Sequence, residues 1–203
     1  MAENRTFVFE GITGSGKSTQ IRLLSPRIHD LNPKVLGRTS PIIGAMKEMR
    51  RLITEIGSPL VTQSLVYILE NVAKVETAKE HDGITIIDRF VISNVAYLVA
   101  RAISEGHCID RDAVRRTVFT PFGVDLLQGK TIIYLDCDVK EAESRTTSRG
   151  SRERFDFNLH SLARIVYNEE LDRLSVPIHR LDTTCRKPEE INLEIEKIVR
   201  GVL

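Results

Sequence analysis

The residues Gly11-Ile12-Thr13-Gly14-Ser15-Gly16-Lys17-Ser18 satisfy G-x-x-x-x-G-K-[ST] in full. Glycines at three of these positions let the backbone curl so that successive N–H groups point into one hollow. A helix starting at the far end adds its partial positive charge there. Such a hollow takes phosphate. Lys17 is expected to reach the β/γ-phosphates of a nucleotide, and the Ser18 hydroxyl to ligate Mg²⁺. The candidate nucleotide contacts are therefore Gly11, Thr13, Gly14, Ser15, Gly16, Lys17, Ser18 and Thr19.

Two further groups of residues carry chemistry. Asp88-Arg89 ends an apolar run, Ile84-Thr85-Ile86-Ile87, that reads as a buried strand. In open α/β sheets ligands bind outside such carboxyl ends. Asp88 is a candidate magnesium ligand there. Arg89 can form a bidentate fork on a phosphate. Asp136 ends the next strand in the same way and reads rather as structural. The second group is Arg145, Arg149, Arg152 and Arg154. Arg145 and Arg149 share a helix face; Arg152 and Arg154 follow Gly150 in a loop. Phosphoryl transfer needs cations that arrive with closure and neutralise developing charge, and a lid of this kind also excludes water. His29, His81, His107, His160 and His179 are isolated in sequence, with no partner at metal spacing. Phe155 and Phe157 read as a packed lid hinge.

The elements that must position these groups alternate strand and helix throughout, which predicts a parallel sheet covered on both faces. The strands are read at about 6–10, 34–37, 84–88, 131–136 and 176–181. The helices are read at about 17–31, 44–56, 59–81, 91–104, 110–119, 139–149, 159–174 and 188–202. Ser58 and Pro59 form the N-cap and first position of the long third helix.

Composition narrows the class. The chain has 203 residues, 41% of them hydrophobic, enough for one globular domain spanning 1–203. A net charge of +1 gives no general attraction to a nucleic-acid polymer or a membrane surface, so any anion site is local. The three cysteines, Cys108, Cys137 and Cys185, are scattered and odd in number, as expected of reduced thiols in a cytoplasmic protein. No cationic leader with a long apolar stretch is read at the start, and no apolar run is long enough to span a membrane.

At the residues that carry chemistry the chain resembles the thymidylate kinase family, over nearly its whole length. Phe9-Glu10-Gly11 with Gly14-Ser15-Gly16-Lys17-Ser18-Thr19-Gln20 is similar to that family's opening. Asp88-Arg89-Phe90, Ser93 and Ala96-Tyr97 resemble its Asp-Arg-Tyr…Ser…Ala-Tyr-Gln segment without a gap. Tyr134-Leu135-Asp136 followed by Glu141, Arg145 and Arg149-Gly150 resembles its later strand and lid helix, and Arg164…Tyr167 the helix beyond. The resemblance implies a P-loop NTPase fold with a five-stranded parallel sheet, an ATP site that includes Arg145, a lid at about 149–157, and a homodimer. It implies transition-state roles for Arg149, Arg152 and Arg154 beside Lys17, Asp88 and Arg89. It places Glu10, Thr13, Arg38, Asn71, Arg89, Ser93, Tyr97 and Leu98 on the acceptor.

The departures fall on that acceptor side. The family has Asp where this chain has Thr13, and there the carboxylate contacts the sugar 3′-hydroxyl. Of its Arg-Glu-Pro-Gly-Gly-Thr segment only Arg38 carries over, within Gly37-Arg38-Thr39-Ser40-Pro41-Ile42-Ile43-Gly44. Its thymine-facing Arg falls near Glu70-Asn71, and its Gln after Ala-Tyr falls at Leu98. The expected activity is ATP- and Mg²⁺-dependent phosphoryl transfer to a small anionic acceptor, most simply a nucleoside monophosphate, with dTMP the family's own. The alternatives are a kinase for a different or modified nucleotide or small metabolite, and, outside enzymes, a nucleotide-binding switch.

Overall fold

Five strands pair side by side in the order β2-β3-β1-β4-β5, and every pairing is parallel. They are β1 (Arg5–Glu10), β2 (Lys34–Leu36), β3 (Ile84–Asp88), β4 (Lys130–Asp136) and β5 (Ile178–Asp182). The helices between them are α1 (Lys17–Arg27), α2 (Leu60–Lys79), α3 (Val91–Ser104), α4 (Arg111–Phe119), α5 (Val139–Ser148), α6 (Phe157–Leu171) and α7 (Pro188–Gly201). This computed structural model describes residues 5–37, 48–49, 60–150 and 154–202. Arg38, Arg152, nearly all of the helix read at 44–56, and the Ser58-Pro59 start lie outside the described residues.

Alternation along the strands divides the core in two. Phe7 and Phe9 of β1 face the same side as Ile86, Ile133 and Leu135, where α1 and α7 cover them with Ile21, Leu24, Ile191, Ile195 and Val199. Val8, Ile87, Ile132 and Tyr134 face the other side, under α2, α3 and α6. Both phenylalanines are fully buried, each worth roughly 2–3 kcal/mol of transfer free energy. Helix α3 shows why its β-branched residues still make a helix. Val91, Ile92, Val95, Ala96, Val99 and Ala100 recur at helical spacing and are all fully buried, so tertiary burial outweighs intrinsic propensity.

Three of the boundaries that differ from the sequence reading have a plain physical reason. α1 stops at Arg27 instead of Leu31, and a short 3-10 turn, His29–Leu31, follows. Pro26 lies inside its last turn, removing a donor and crowding the preceding carbonyl. β5 begins at Ile178, one residue after Pro177, which has no N–H for the ladder. α6 begins at Phe157, because the Asp156 side chain accepts from the Leu159 N–H at 2.9 Å and caps the helix there.

The parallel arrangement brings the carboxyl ends of all five strands to one edge. The loops after β1, β3, β4 and β5 gather there and carry the residues singled out above.

Candidate active site

The loop after β1 is built from backbone. Gly11 has φ +141°, and a Cβ there would stand 2.4 Å from the Leu135 carbonyl oxygen. Gly14 has φ +86°, and a Cβ there would stand 2.3 Å from the Ala142 carbonyl oxygen. Neither position admits a side chain, so strand β4 and helix α5 press directly on the loop. Lys17 opens α1 and is buried; its ammonium donates to the carbonyls of Gly11 at 2.9 Å and Ile12 at 2.7 Å and to Ser15 Oγ at 3.2 Å. Ser18 Oγ donates to Asp88 Oδ2 at 3.2 Å, so the two candidate magnesium ligands stand together across seventy residues of sequence. Thr19, one residue on, lines the cavity described below.

Asp136 is used differently. Arg164 of α6 grips it in a fork, Nε to Oδ1 at 2.7 Å and Nη2 to Oδ2 at 2.8 Å. The Cys137 N–H adds a bond at 2.9 Å. Burial works against the charged carboxylate, but the Arg164 fork outweighs it and holds Asp136 below the usual carboxylate range. It ties α6 to the sheet.

Arg89 sits one residue beyond β3 with φ +62°, a left-handed conformation that costs a non-glycine residue about 1–3 kcal/mol. Three elements hold it there. Its N–H donates to Phe9 O at 3.0 Å, its carbonyl accepts from Lys74 Nζ of α2 at 2.9 Å, and its guanidinium donates to Gly11 O and Thr13 Oγ1, both at 3.1 Å. Lys74 is itself buried and paired with Glu70 at 2.9 Å. The guanidinium also lies 5.2 Å from the centre of the Tyr97 ring. Burial disfavours its charge, yet Tyr97, Tyr167, Asp88 and Glu10 more than offset this and raise its pKa.

Glu10 lies beneath Arg89 and is fully buried. Its Oε1 accepts the N–H groups of Phe90 at 3.0 Å and Ser93 at 3.2 Å, which caps the start of α3. Its Oε2 accepts from the Ser93 hydroxyl and from Tyr167 at 3.3 Å. Burial pushes the Glu10 carboxyl up; the bonds from Ser93 and the charge of Arg89 oppose the shift without cancelling it. The expectation for Glu10 and Ser93 was an acceptor contact. In the structure both spend their polar atoms on the floor that supports Arg89. Tyr97 stands above that floor, its hydroxyl accepting the Thr13 N–H at 3.0 Å.

On the other side of the phosphate loop is a cavity of about 230 Å³ lined by Ser15, Gly16, Thr19, Arg145, Arg149 and Thr183, among others. Arg145 is held in its wall by Glu141 at 2.9 Å and by the Thr183 carbonyl at 2.6 Å. Arg149 follows α5, exposed, just before Gly150 at φ +64°. Arg154 is exposed and lines a different hollow with Glu143, Thr146 and Phe155. The structure thus brings Arg145 and Arg149 to the phosphate loop and sets Arg154 apart. Asn71 is buried in α2, and Leu98 is half-buried on α3 beside Tyr97.

Four residues at the site had no role assigned in the sequence. Thr183 stands directly after β5, and the strand-end rule that singled out Asp88 would have found it. Lys74 reads as one more charge on a long helix. Tyr167 and His160 enter through contacts 74 and 63 residues away in sequence, with Ser93 and Tyr97, which no local spacing reveals.

The thymidylate kinase family model matches residues 9–195. A probable thymidylate kinase of Methanospirillum hungatei is 33% identical over 152 residues, covering 72% of this chain and 70% of that one. The thymidylate kinase of Symbiobacterium thermophilum is 28% identical over 205 residues, covering 96% and 92%. Among solved structures, the thymidylate kinase of Candida albicans superposes with a TM-score of 0.70 at 17% identity, over 97% of this chain and 91% of that chain. A deoxyadenosine kinase of M. mycoides also reaches 0.70 at 17% identity, over 97% and 99%. The last two likenesses carry the P-loop NTPase fold; the family rests on the sequence match. A phosphate-binding loop, a strand-end Asp-Arg pair and a match along most of the chain lead to one conclusion: the chain belongs to the thymidylate kinase family and is a nucleotide kinase, an enzyme and not a switch.

Proposed function

We propose that the chain, working as one domain over 1–203, transfers the γ-phosphoryl of ATP, with Mg²⁺, to a nucleoside monophosphate. One observation carries this reading. Lys17 Nζ and Arg89 Nη1 donate to the same carbonyl, that of Gly11, at 2.9 and 3.1 Å. Two cations side by side repel each other unless an anion lies against both. Lys17 belongs to the loop that takes the donor's phosphates. Arg89 approaches the same point from β3, where the acceptor's phosphate would arrive. Ser18 and Asp88 supply two hard oxygen ligands 3.2 Å apart, which suits an ion that keeps most of its waters. Bound there, Mg²⁺ would neutralise charge on the β- and γ-oxygens. Arg145 and Arg149 border the cavity on the donor side, and Arg149 next to Gly150 can follow a closing lid; Arg152 and Arg154 belong to the same lid in this reading.

The acceptor is less constrained than the chemistry. Thr13 offers a hydroxyl, and that hydroxyl already receives Arg89 at 3.1 Å. This favours a second reading of the same site, with a nucleotide other than dTMP as the preferred acceptor. The homodimer belongs with the family reading, and the exposed Leu65 and Leu69, one turn apart on α2, supply an apolar stripe for it. A cytoplasmic setting is consistent with three free cysteines, two of them exposed, and no described helix is long and apolar enough to cross a membrane.

The test is ADP release from ATP with a panel of nucleoside monophosphates and the matching nucleosides, since the M. mycoides neighbour is a deoxyadenosine kinase. At least one monophosphate is expected to raise turnover well above the acceptor-free rate. A nucleoside as the best acceptor would remove the role given to Arg89.

A further inference from the structure

His160 lies on the first turn of α6, four residues after the N-cap Asp156, with 8% of its surface exposed. Phe155 stacks on its ring with centroids 4.2 Å apart, and Tyr97 of α3 meets it edge-on at 5.6 Å. Nδ1 of His160 is 3.1 Å from the Tyr97 hydroxyl. That hydroxyl accepts the Thr13 N–H at 3.0 Å and lies 3.4 Å from Thr13 Oγ1. One phenolic oxygen therefore links the end of the lid to the phosphate loop.

The protons can be placed. A phenol has one proton and two lone pairs. One lone pair takes the Thr13 N–H. Thr13 Oγ1 already receives Arg89 Nη2 at 3.1 Å and is the more distant acceptor for the Tyr97 proton. His160 Nδ1 is the nearer one. For Nδ1 to accept, the ring must be neutral with its proton on Nε2. The charged groups around the ring are Arg89 beyond β3, Lys17 of α1 and Asp156 at the head of α6. Burial, then Arg89 and Lys17, outweigh Asp156 and push the ring down to about 4. With its proton committed to His160, Tyr97 has one lone pair left, approached among the described residues only by the Thr13 hydroxyl at 3.4 Å, and can only accept from a ligand.

We propose that His160 is a positioning residue that fixes Tyr97 as a hydrogen-bond acceptor for a hydroxyl of the acceptor's sugar. The proposal rests on the acceptor site read above. Thr13 and Tyr97 adjoin there, so a sugar hydroxyl entering next to Thr13 must donate to the phenolic oxygen. A sugar position that can only accept is disfavoured.

Two variants separate the hydrogen bond from the packing. His160→Asn puts an oxygen acceptor where Nδ1 stands and loses the ring. His160→Phe keeps the ring stack and loses the acceptor. Kinetics are measured with the best of dTMP, dAMP, dCMP and dGMP. His160→Phe is expected to raise the acceptor KM about tenfold, the loss of one net hydrogen bond. The ATP KM should stay within about twofold, and His160→Asn within about threefold of wild type. Equal impairment of both variants, or a wild-type His160→Phe, overturns the proposal. The ¹H–¹⁵N spectrum of the imidazoles, assigned with His160→Asn, reads the tautomer without any acceptor. A neutral Nε2–H ring at pH 7 is expected; an Nδ1–H ring or an imidazolium overturns the proposal. If none of the four monophosphates turns over while the tautomer is as expected, the monophosphate reading fails. The two variants are then compared on the nucleoside the enzyme does use, where the same split decides the role of His160.

Discussion

The phosphate loop draws its polar groups from eight consecutive residues, 11–18. Around Arg89 the groups come from four separate stretches: Glu10, Arg89 with Ser93 and Tyr97, Lys74, and His160 with Tyr167. The first region works because side chains are missing, since Gly11 and Gly14 admit no Cβ against Leu135 and Ala142. The second works because side chains are present and Glu10, Ser93 and Tyr167 bond one another away from water. A backbone site tolerates little change and binds what any nucleotide offers. A site of converging side chains can change its ligand by changing one of them.

The largest effect should come from the loop. Lys17→Ala removes the cation shared with Arg89 at Gly11. Turnover should fall by about 10²–10³ with the melting temperature little changed. Wild-type turnover in a folded Lys17→Ala protein would break the comparison at its first term. Next, Glu10→Ala leaves the Phe90 and Ser93 N–H groups buried without a partner, while the Ser93 and Tyr167 hydroxyls keep each other. Urea unfolding should show a loss of about 2–3 kcal/mol. Glu10→Gln, which keeps an acceptor oxygen, should lose less than half of that. If Glu10→Ala lost activity with its stability intact, Glu10 would be a ligand contact and not part of the floor.

The smallest effect is a control at a strand end outside both regions. Arg164→Met removes the fork on Asp136 and should cost about 1–2 kcal/mol at pH 7. Asp136 is held below its ordinary value of 3.8, so its contribution is present above that pH and lost as pH falls through the lower folded value. The gap between wild type and Arg164→Met should therefore narrow as pH falls below 3.8. A gap that persisted there would mean that Arg164 acts through packing and not through charge.

Asp88 and Asp136 mark where the sequence stops being readable. Each ends a buried strand and both look alike as text. The structure puts Ser18 Oγ 3.2 Å from one and the Arg164 fork on the other. Nothing within either segment encodes which partner it meets, because Ser18 follows β1 and Arg164 lies on α6. The same holds for the arginines. Arg145 and Arg149 reach the cavity beside the phosphate loop because α5 packs on Gly14, while Arg154, a few residues on, faces another hollow.

By itself the sequence determined the alternation of strand and helix, the parallel sheet it implies, the phosphate loop and the strand-end pair Asp88-Arg89. These depend on period, on glycine, and on short spacings, all local properties of a chain. Only the tertiary structure decided that Glu10 caps α3, that Lys74 holds the strained carbonyl of Arg89, and that His160 meets Tyr97. Those contacts join residues 15 to 83 apart, and burial is what makes them. A polar group removed from water must find a partner wherever the packing of β1, α2, α3 and α6 happens to leave one.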